Sequence, residues 1–299
     1  MSDVTMEGRV ALVTGAGGGI GRAHALQLAA LGAKVVVNDL GGDVHGGGSG
    51  SAAQAVVAEI EAAGGEAVAS TDSIATPEGG AAAVQVALDR WGRLDALVHN
   101  AGILRDKTIA KLEDDDVDAV IAVHLTGGFN VVRPAFAAMR ENNFGRIVLT
   151  TSGSGMFGNF GQSNYAAAKA GLVGLVNVIA LEGARYGITA NALSPTAATR
   201  MTEGLLGDLA DHFDPRHVAA VVGYLCSEAC TATHSIFSVG GGRVARIFVG
   251  VTPGVYLGTE PASPDDVAER FDEIMDLDEY VVPDGGADEV ALIARMLQG

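Results

Sequence analysis

Short apolar runs recur at residues 9–14, 34–39, 66–70, 94–99, 146–151, 188–193 and 236–239, separated by stretches whose apolar positions follow helical spacing. Parallel strands need a crossover between them and bury both faces, so this rhythm predicts an α/β fold: a doubly wound parallel sheet with helices on either side. Such sheets take their ligands beyond the carboxyl ends of the strands, which directs attention to the residues just after each run. The rhythm stops near residue 245. Residues 6–245 are read as a single domain and 246–299 as a C-terminal extension, with acidic helical stretches expected at 264–279 and 287–298. A polar tail of that length must dock somewhere to be ordered, so it is read as a covering or oligomer-contact element.

Composition narrows the partners. With 299 residues, 48% of them hydrophobic and 18% charged, the chain can bury one large core. A net charge of −17 speaks against nucleic acid and anionic membrane, which require clustered Lys and Arg, and an anionic substrate would need a locally basic patch. No run approaches the roughly 18 uninterrupted apolar residues of a membrane span, and the first seven residues lack a basic start and an apolar stretch. A soluble, cytoplasmic protein is expected. Cys226 and Cys230, four apart on an expected helix, suit half-buried thiols rather than a disulfide framework, and no metal site is expected. The segment 41–51 is too glycine-rich to pack and is read as a loop beside the adenosine end of a cofactor.

Between the first apolar run and a helical stretch from Arg22 to Leu31 stands Thr14-Gly15-Ala16-Gly17-Gly18-Gly19-Ile20-Gly21. Glycines there let the backbone approach a pyrophosphate, and the following helix offers unpaired N–H groups and a positive dipole end. A glycine-rich turn alone says little in a chain with 42 glycines; its place between strand and helix says more. The next run ends at Asp39, eighteen residues after Gly21. A carboxylate at that strand end can accept from both ribose hydroxyls and would repel a 2′-phosphate, so NAD is the expected cofactor. The plainer alternative is that Asp39 only caps a strand.

Downstream, Tyr165 and Lys169 stand one helical turn apart and share a face. A free tyrosine titrates near about 10, too high for a base at neutral pH, and a neighbouring ammonium is expected to lower that value. Ser152 closes the run 146–151, where its hydroxyl can reach a reacting oxygen. Chance packing of a tyrosine and a lysine on one helix is the competing explanation.

Together these motifs resemble the short-chain dehydrogenase/reductase family, whose pattern is Thr-Gly-x3-Gly-x-Gly, Asn-Ala-Gly, a serine and Tyr-x3-Lys on a Rossmann sheet; the likeness covers residues 6 to about 245. The resemblance implies a cofactor held by Gly15, Gly19, Ile20 and Gly21, with Asp39 and Leu40 at the ribose and Asp72 and Ser73 at the adenine. It further implies Asn100, Ala101 and Gly102 on the adenosine side, Pro195, Thr196 and Thr199 at the nicotinamide carboxamide, and proton transfer by Ser152, Tyr165 and Lys169. One position departs from the pattern: where many members carry asparagine in Val-Asn-Leu-x-Gly, this chain has His124, which either replaces a proton relay or is a satisfied structural histidine. Segments 37–43, 100–106, 158–162 and 200–202 resemble a subgroup, the (3R)-hydroxyacyl-CoA dehydrogenase domains of type 2 peroxisomal multifunctional enzymes, which also carry that histidine. This implies an acyl-CoA thioester as substrate, with Arg105, Lys107, Arg200 and Arg243 as candidate contacts, and a homo-oligomer, dimer or tetramer. A 3-oxoacyl-carrier-protein reductase and a non-catalytic dinucleotide sensor or scaffold remain as alternatives.

Overall fold

The computed structural model describes residues 4–41, 51–199 and 207–298. Eight strands, β1 (Val10–Thr14), β2 (Lys34–Asn38), β3 (Glu66–Ser70), β4 (Ala96–His99), β5 (Gly145–Thr150), β6 (Ile188–Thr196), β7 (Ser235–Gly240) and β8 (Arg243–Ile247), form one sheet in the order β3-β2-β1-β4-β5-β6-β7-β8. Strands β1 to β7 pair in parallel. The order reverses between β1 and β4, where a doubly wound sheet opens a crevice. Register levels the strand ends there: Thr14 stands opposite Asn38 on one side and His99 on the other, so the turns after β1, β2 and β4 open at one height.

The helices are α1 (Gly19–Ala30), α2 (Ser51–Ala62), α3 (Pro77–Trp91), α4 (Asp114–Ile121), α5 (Gly127–Asn142), α6 (Gly153–Phe157), α7 (Ser163–Gly183) and α8 (Pro215–Cys226). Ala25, Leu28, Val56, Ile60, Val218 and Val222, from α1, α2 and α8, join one core cluster with the buried side chains of β1 and β2. Val84, Val131, Met139, Leu172 and Val176 are buried from α3, α5 and α7. Each such aliphatic side chain contributes about 1.5–3 kcal/mol on burial, which is why the central strands can be apolar on both faces. Two helical stretches, Asp114–Asn142 and Ser163–Tyr186, are long and apolar enough to cross a membrane, but each turns a buried face inward. At the amino end of the sheet, buried Asp95 accepts from the Val10 amide (2.9 Å), Arg9 Nη1 (3.1 Å) and both Nε and Nη2 of Arg93 (2.8 and 2.6 Å), tying β1 to β4.

Three expectations change. The last strand expected from the sequence is 236–239, yet an eighth follows: Gly241 and Gly242, at φ +55° and +78°, form a two-residue turn that returns the chain, so β8 runs antiparallel. Cys226 and Cys230 do not share a helix, because extended Ser227 (ψ 164°) ends α8 at Cys226; both thiols are buried and free. The helical stretch at 264–279 is broken into α9 (Pro264–Glu269) and α10 (Phe271–Ile274) by Arg270, whose φ of −108° leaves the helical region.

A larger unit ends at Arg246 and a smaller one begins at Ile247. The smaller unit contains α9, α10 and α11 (Gly286–Gln298), a bridge between Val251 and Val281, and Phe248 stacked on Tyr280 at 5.3 Å.

Candidate active site

The turn after β1 is shaped by what its glycines lack. Gly15 sits at φ +66°, and a Cβ there would lie 2.6 Å from Ala101 Cα; a Cβ on Gly21 would overlap Gly15 O and come within 2.6 Å of Asn100 Nδ2. Only bare backbone fits between the ends of β1 and β4. Helix α1 then begins with Gly18 at its N-cap, no capping side chain and no acidic residue in the first turn, so its leading N–H groups remain for an anion. This cradle fits a dinucleotide pyrophosphate, and Ile20 anchors it by packing on the core beneath.

Beside it, Asp39 is fixed at the end of β2. Its Oδ2 accepts from the Gly17 amide (2.8 Å) and its Oδ1 from the Gly41 amide (2.6 Å). Leu40 follows with about half of its surface exposed. Asn38 donates to Ser70 Oγ (2.8 Å) and to the Asp72 carbonyl (3.0 Å), and Ser70 donates to Asp72 Oδ2 (2.9 Å), which sets Asp72 and Ser73 next to Asp39. On the other flank, Asn100 donates to Gly15 O (3.2 Å), and the amides of Asn100 and Ala101 donate to Thr14 Oγ1. Pro195 and Thr196 close β6, and Thr199 Cγ2 lies 3.4 Å from where a Gly19 Cβ would stand. The residues expected at the cofactor therefore gather along one edge of the sheet.

The expected reacting groups meet at the same edge. Ser152 is the N-cap of α6, accepting from the Ser154 amide (3.2 Å), and its hydroxyl is near enough to the Tyr165 hydroxyl to favour the ionised phenol. Lys169 Nζ lies 5.6 Å from the centre of the Tyr165 ring and donates to the Thr150 carbonyl at 2.6 Å, while Thr151 Oγ1 donates to the Lys169 carbonyl at 2.7 Å. The end of β5 thus grips α7 from two sides.

The electrostatics differ from the expectation of a tyrosine lowered by its lysine. Burial pushes the Tyr165 phenol above its ordinary value, with the Ser152 hydroxyl opposing it and Asp106 adding to it. Burial also pushes Lys169 down to about 7. Both groups favour their neutral forms more than the sequence suggests, because the same desolvation acts on each.

His124 lies in a π-turn, Ala122–Thr126, between α4 and α5. Its Nε2 is 2.8 Å from the Ile103 carbonyl and 3.0 Å from the Ile103 amide, its Nδ1 has no hydrogen-bond partner among the described residues, and its ring meets Tyr165 edge-on at 5.2 Å. Burial holds it well below the usual histidine range, so it is uncharged at neutral pH.

The basic candidates fare unevenly. Lys107 is engaged by Asp116 Oδ2 (2.6 Å) and Glu113 Oε2 (3.3 Å), so its charge is already answered. Arg105 is partly buried, Arg243 is exposed on β8, and Arg200 and the segments 42–50 and 200–202 lie outside the described residues.

Sequence reasoning missed Asn164, Asp106 and Gln162. Buried Asn164 donates to the carbonyls of Arg105 (3.2 Å) and Asp116 (3.1 Å) and accepts from the Tyr165 amide (2.8 Å), fixing the start of α7. Gln162 donates to Asp106 Oδ2 (2.6 Å) and accepts from Ser154 Oγ (2.8 Å). Asp106 and Gln162 both fall in segments carrying the subgroup resemblance, the one signal that could have found them.

Comparison with known proteins agrees in kind. A family model described as short chain dehydrogenase matches residues 9–208. A protein of Mycobacterium tuberculosis named only as a short-chain type dehydrogenase/reductase is 53% identical over 274 residues, covering 91% of this chain and 96% of its own. The mouse peroxisomal multifunctional enzyme type 2 is 47% identical over 92% of this chain, which spans 38% of that enzyme's length. The structure of the full-length Drosophila melanogaster enzyme of the same name superposes with a TM-score of 0.84 at 37% identity, covering 98% of this chain and 50% of that one.

Proposed function

Because the chain belongs to the short-chain dehydrogenase family, whose members use nicotinamide cofactors, we propose that it is an NAD-dependent oxidoreductase interconverting (3R)-3-hydroxyacyl-CoA and 3-oxoacyl-CoA. The observation that carries the cofactor choice is Asp39, whose two oxygens are pinned by the Gly17 and Gly41 amides at the end of β2. A carboxylate held there retains lone pairs for ribose hydroxyls and opposes a 2′-phosphate. For the substrate, support comes from the segments that resemble the acyl-CoA subgroup. Residues 100–106 and 158–162 are joined by the Gln162–Asp106 bond and by a backbone bridge between Lys107 and Gln162, beside Ser152 and Tyr165.

When bound, the nicotinamide would accept or deliver the hydride. Ser152 and Tyr165 present two hydroxyls to the substrate oxygen. Burial keeps Tyr165 protonated at neutral pH, the form that donates a proton to that oxygen as a ketone is reduced. The phenolate left behind is stabilised by the Ser152 hydroxyl and by Lys169 in its charged form. In the oxidative direction Tyr165 must first lose its proton to solvent, and the phenolate, favoured by the same two neighbours, then takes the proton from the alcohol. We further propose a homo-oligomer in the cytoplasm, a reducing compartment with which the free thiols of Cys226 and Cys230 are compatible.

The test is a panel of 3-oxoacyl-CoA and 3-oxoacyl-carrier-protein substrates, each with NADH and NADPH, and the reverse reaction with both 3-hydroxy enantiomers. Highest kcat/KM for the (3R)-acyl-CoA pair with NAD(H) is expected. Preference for the carrier protein with NADPH, for the (3S) enantiomer, or for a CoA-free alcohol overturns the acyl-CoA reading; dinucleotide binding with no turnover overturns the enzyme reading.

A further inference from the structure

His99, at the carboxyl end of β4, is fully buried directly behind the site. Burial pushes its imidazole down to about 4, so at neutral pH it carries one N–H and one lone pair. Chemistry then fixes which nitrogen has which. Nε2 lies 2.9 Å from the His124 carbonyl oxygen, which can only accept, so the proton is on Nε2. Nδ1, 3.1 Å from Thr14 Oγ1, must accept the threonine proton, and Thr14 Oγ1 in turn accepts from the amides of Asn100 (3.1 Å) and Ala101 (3.2 Å). Every hydrogen bond in this chain of groups has a determined direction. It runs from the backbone of the cofactor-side segment 100–101 to a carbonyl inside the π-turn.

That carbonyl lies where the regular helical ladder is interrupted: the Gly127 amide is shared between the Ala122 and His124 carbonyls instead of completing an α-helical turn to Val123, so His124 O accepts from His99 beside this shared donor. The far side of the π-turn carries the His124 ring, which meets Tyr165 edge-on and covers Gly102, where a Cβ would come within 3.0 Å of both ring nitrogens. Displacing the turn would therefore displace the ring against which the phenol rests. Gly128, at the start of α5, packs beside the His99 ring: a Cβ there would stand in ordinary contact with His99 at 3.6 Å and would crowd Leu172 Cδ2 at 2.8 Å.

We propose that His99 is a positioning residue, tying the wall of the cofactor site to the π-turn so that His124 holds the Tyr165 phenol in its reacting place. The proposal rests on the reading of Tyr165 as the proton-transfer group. His99 touches neither substrate nor cofactor; it acts through the His124 carbonyl.

Three substitutions separate this role from general packing. Glutamine carries its amide nitrogen to the depth of Nε2 and can still donate to His124 O. Asparagine reaches only the depth of Nδ1 and keeps the Thr14 side alone. Leucine keeps neither. Turnover with 3-oxoacyl-CoA and NADH, NADH affinity by fluorescence and thermal midpoint are measured for each, with the His99 tautomer of the wild type read by 15N NMR. Expected are kcat values about tenfold lower in His99→Leu and His99→Asn with NADH affinity within about twofold, substantial recovery in His99→Gln, and an Nε2-protonated, Nδ1-bare ring. Equal kcat in all three variants overturns the proposal, as does loss of kcat, affinity and stability in parallel without recovery by glutamine. Should the wild type reduce none of these substrates, the proton-transfer reading fails on its own account. The proposed positioning of Tyr165 for that reaction then fails with it, while an Nδ1-protonated His99 would separately refute the bridge.

Discussion

Lys169→Met is expected to make the protein more stable near pH 6 while removing its turnover. The Lys169 side chain is buried, and its value falls from 10.5 to about 7. At about 1.4 kcal/mol for each tenfold change, keeping the ammonium inside the fold costs about 4–5 kcal/mol once the pH is below 7. Between pH 7 and 10.5 the unfolded chain binds more proton at this lysine than the folded one does, so stability rises with pH across that window. Methionine removes the penalty but strands the Thr150 carbonyl that Nζ now satisfies, a loss of about 1–3 kcal/mol. The balance at pH 6 is a gain of about 1–4 kcal/mol, shrinking and then reversing toward pH 10. Urea unfolding of both proteins, without cofactor, at intervals from pH 6 to 10 measures it, and the difference between the two curves isolates this residue from all others. A wild type more stable than the variant at pH 6, or a difference that does not change with pH, would refute the reasoning.

Four further outcomes are expected. Tyr165→Phe should reduce kcat by about a hundredfold or more with cofactor affinity nearly unchanged in NADH titrations, since only the transferable proton is lost; residual turnover above a few per cent would exclude Tyr165. Asp39→Ala should narrow the ratio of kcat/KM between NAD(H) and NADP(H), by relieving a repulsion of about 1–3 kcal/mol; an unchanged ratio assigns the preference elsewhere. Gly21→Ala should abolish NADH fluorescence enhancement, because its Cβ overlaps Gly15 O and approaches Asn100; wild-type affinity would show that the turn yields. Asp95→Ala should lower the unfolding free energy by about 2–4 kcal/mol through the stranded Val10 amide and two guanidinium groups, with kcat preserved because the change lies at the opposite end of the sheet.

What could be read from the chain was local or periodic. The strands, the glycine turn and the i, i+4 pair of Tyr165 and Lys169 depend on neighbours in sequence, and each lies within a residue or a few of where the pattern puts it. What escaped depends on the packed environment. The fall of Lys169 to about 7 arises from burial against a carbonyl nineteen residues away, and no spacing rule encodes it. Lys107 reads as a free cation until Asp116 is brought to it by α4. The π-turn that carries His124 is one residue of extra backbone within a helical pattern, too small to alter the periodicity. His99 looks like an ordinary strand residue until the fold lays Thr14 and the His124 carbonyl on its two nitrogens.

An open sheet has two edges, and each is an invitation to any unpaired strand of another molecule. Strand β8, the last in the order, turns Arg243 and Arg246 outward within a five-residue strand. A stranger docking there would have to strip water from two guanidinium groups with no carboxylate of its own in register, so the edge repels the addition of a flat apolar strand. In a chain that is nearly half hydrophobic, two exposed charges on so short a strand are the kind of edge feature that disfavours such an addition. Replacing both by valine would leave a short, uncharged β-branched ribbon at the rim, and the first consequence would be seen in the solubility of the protein.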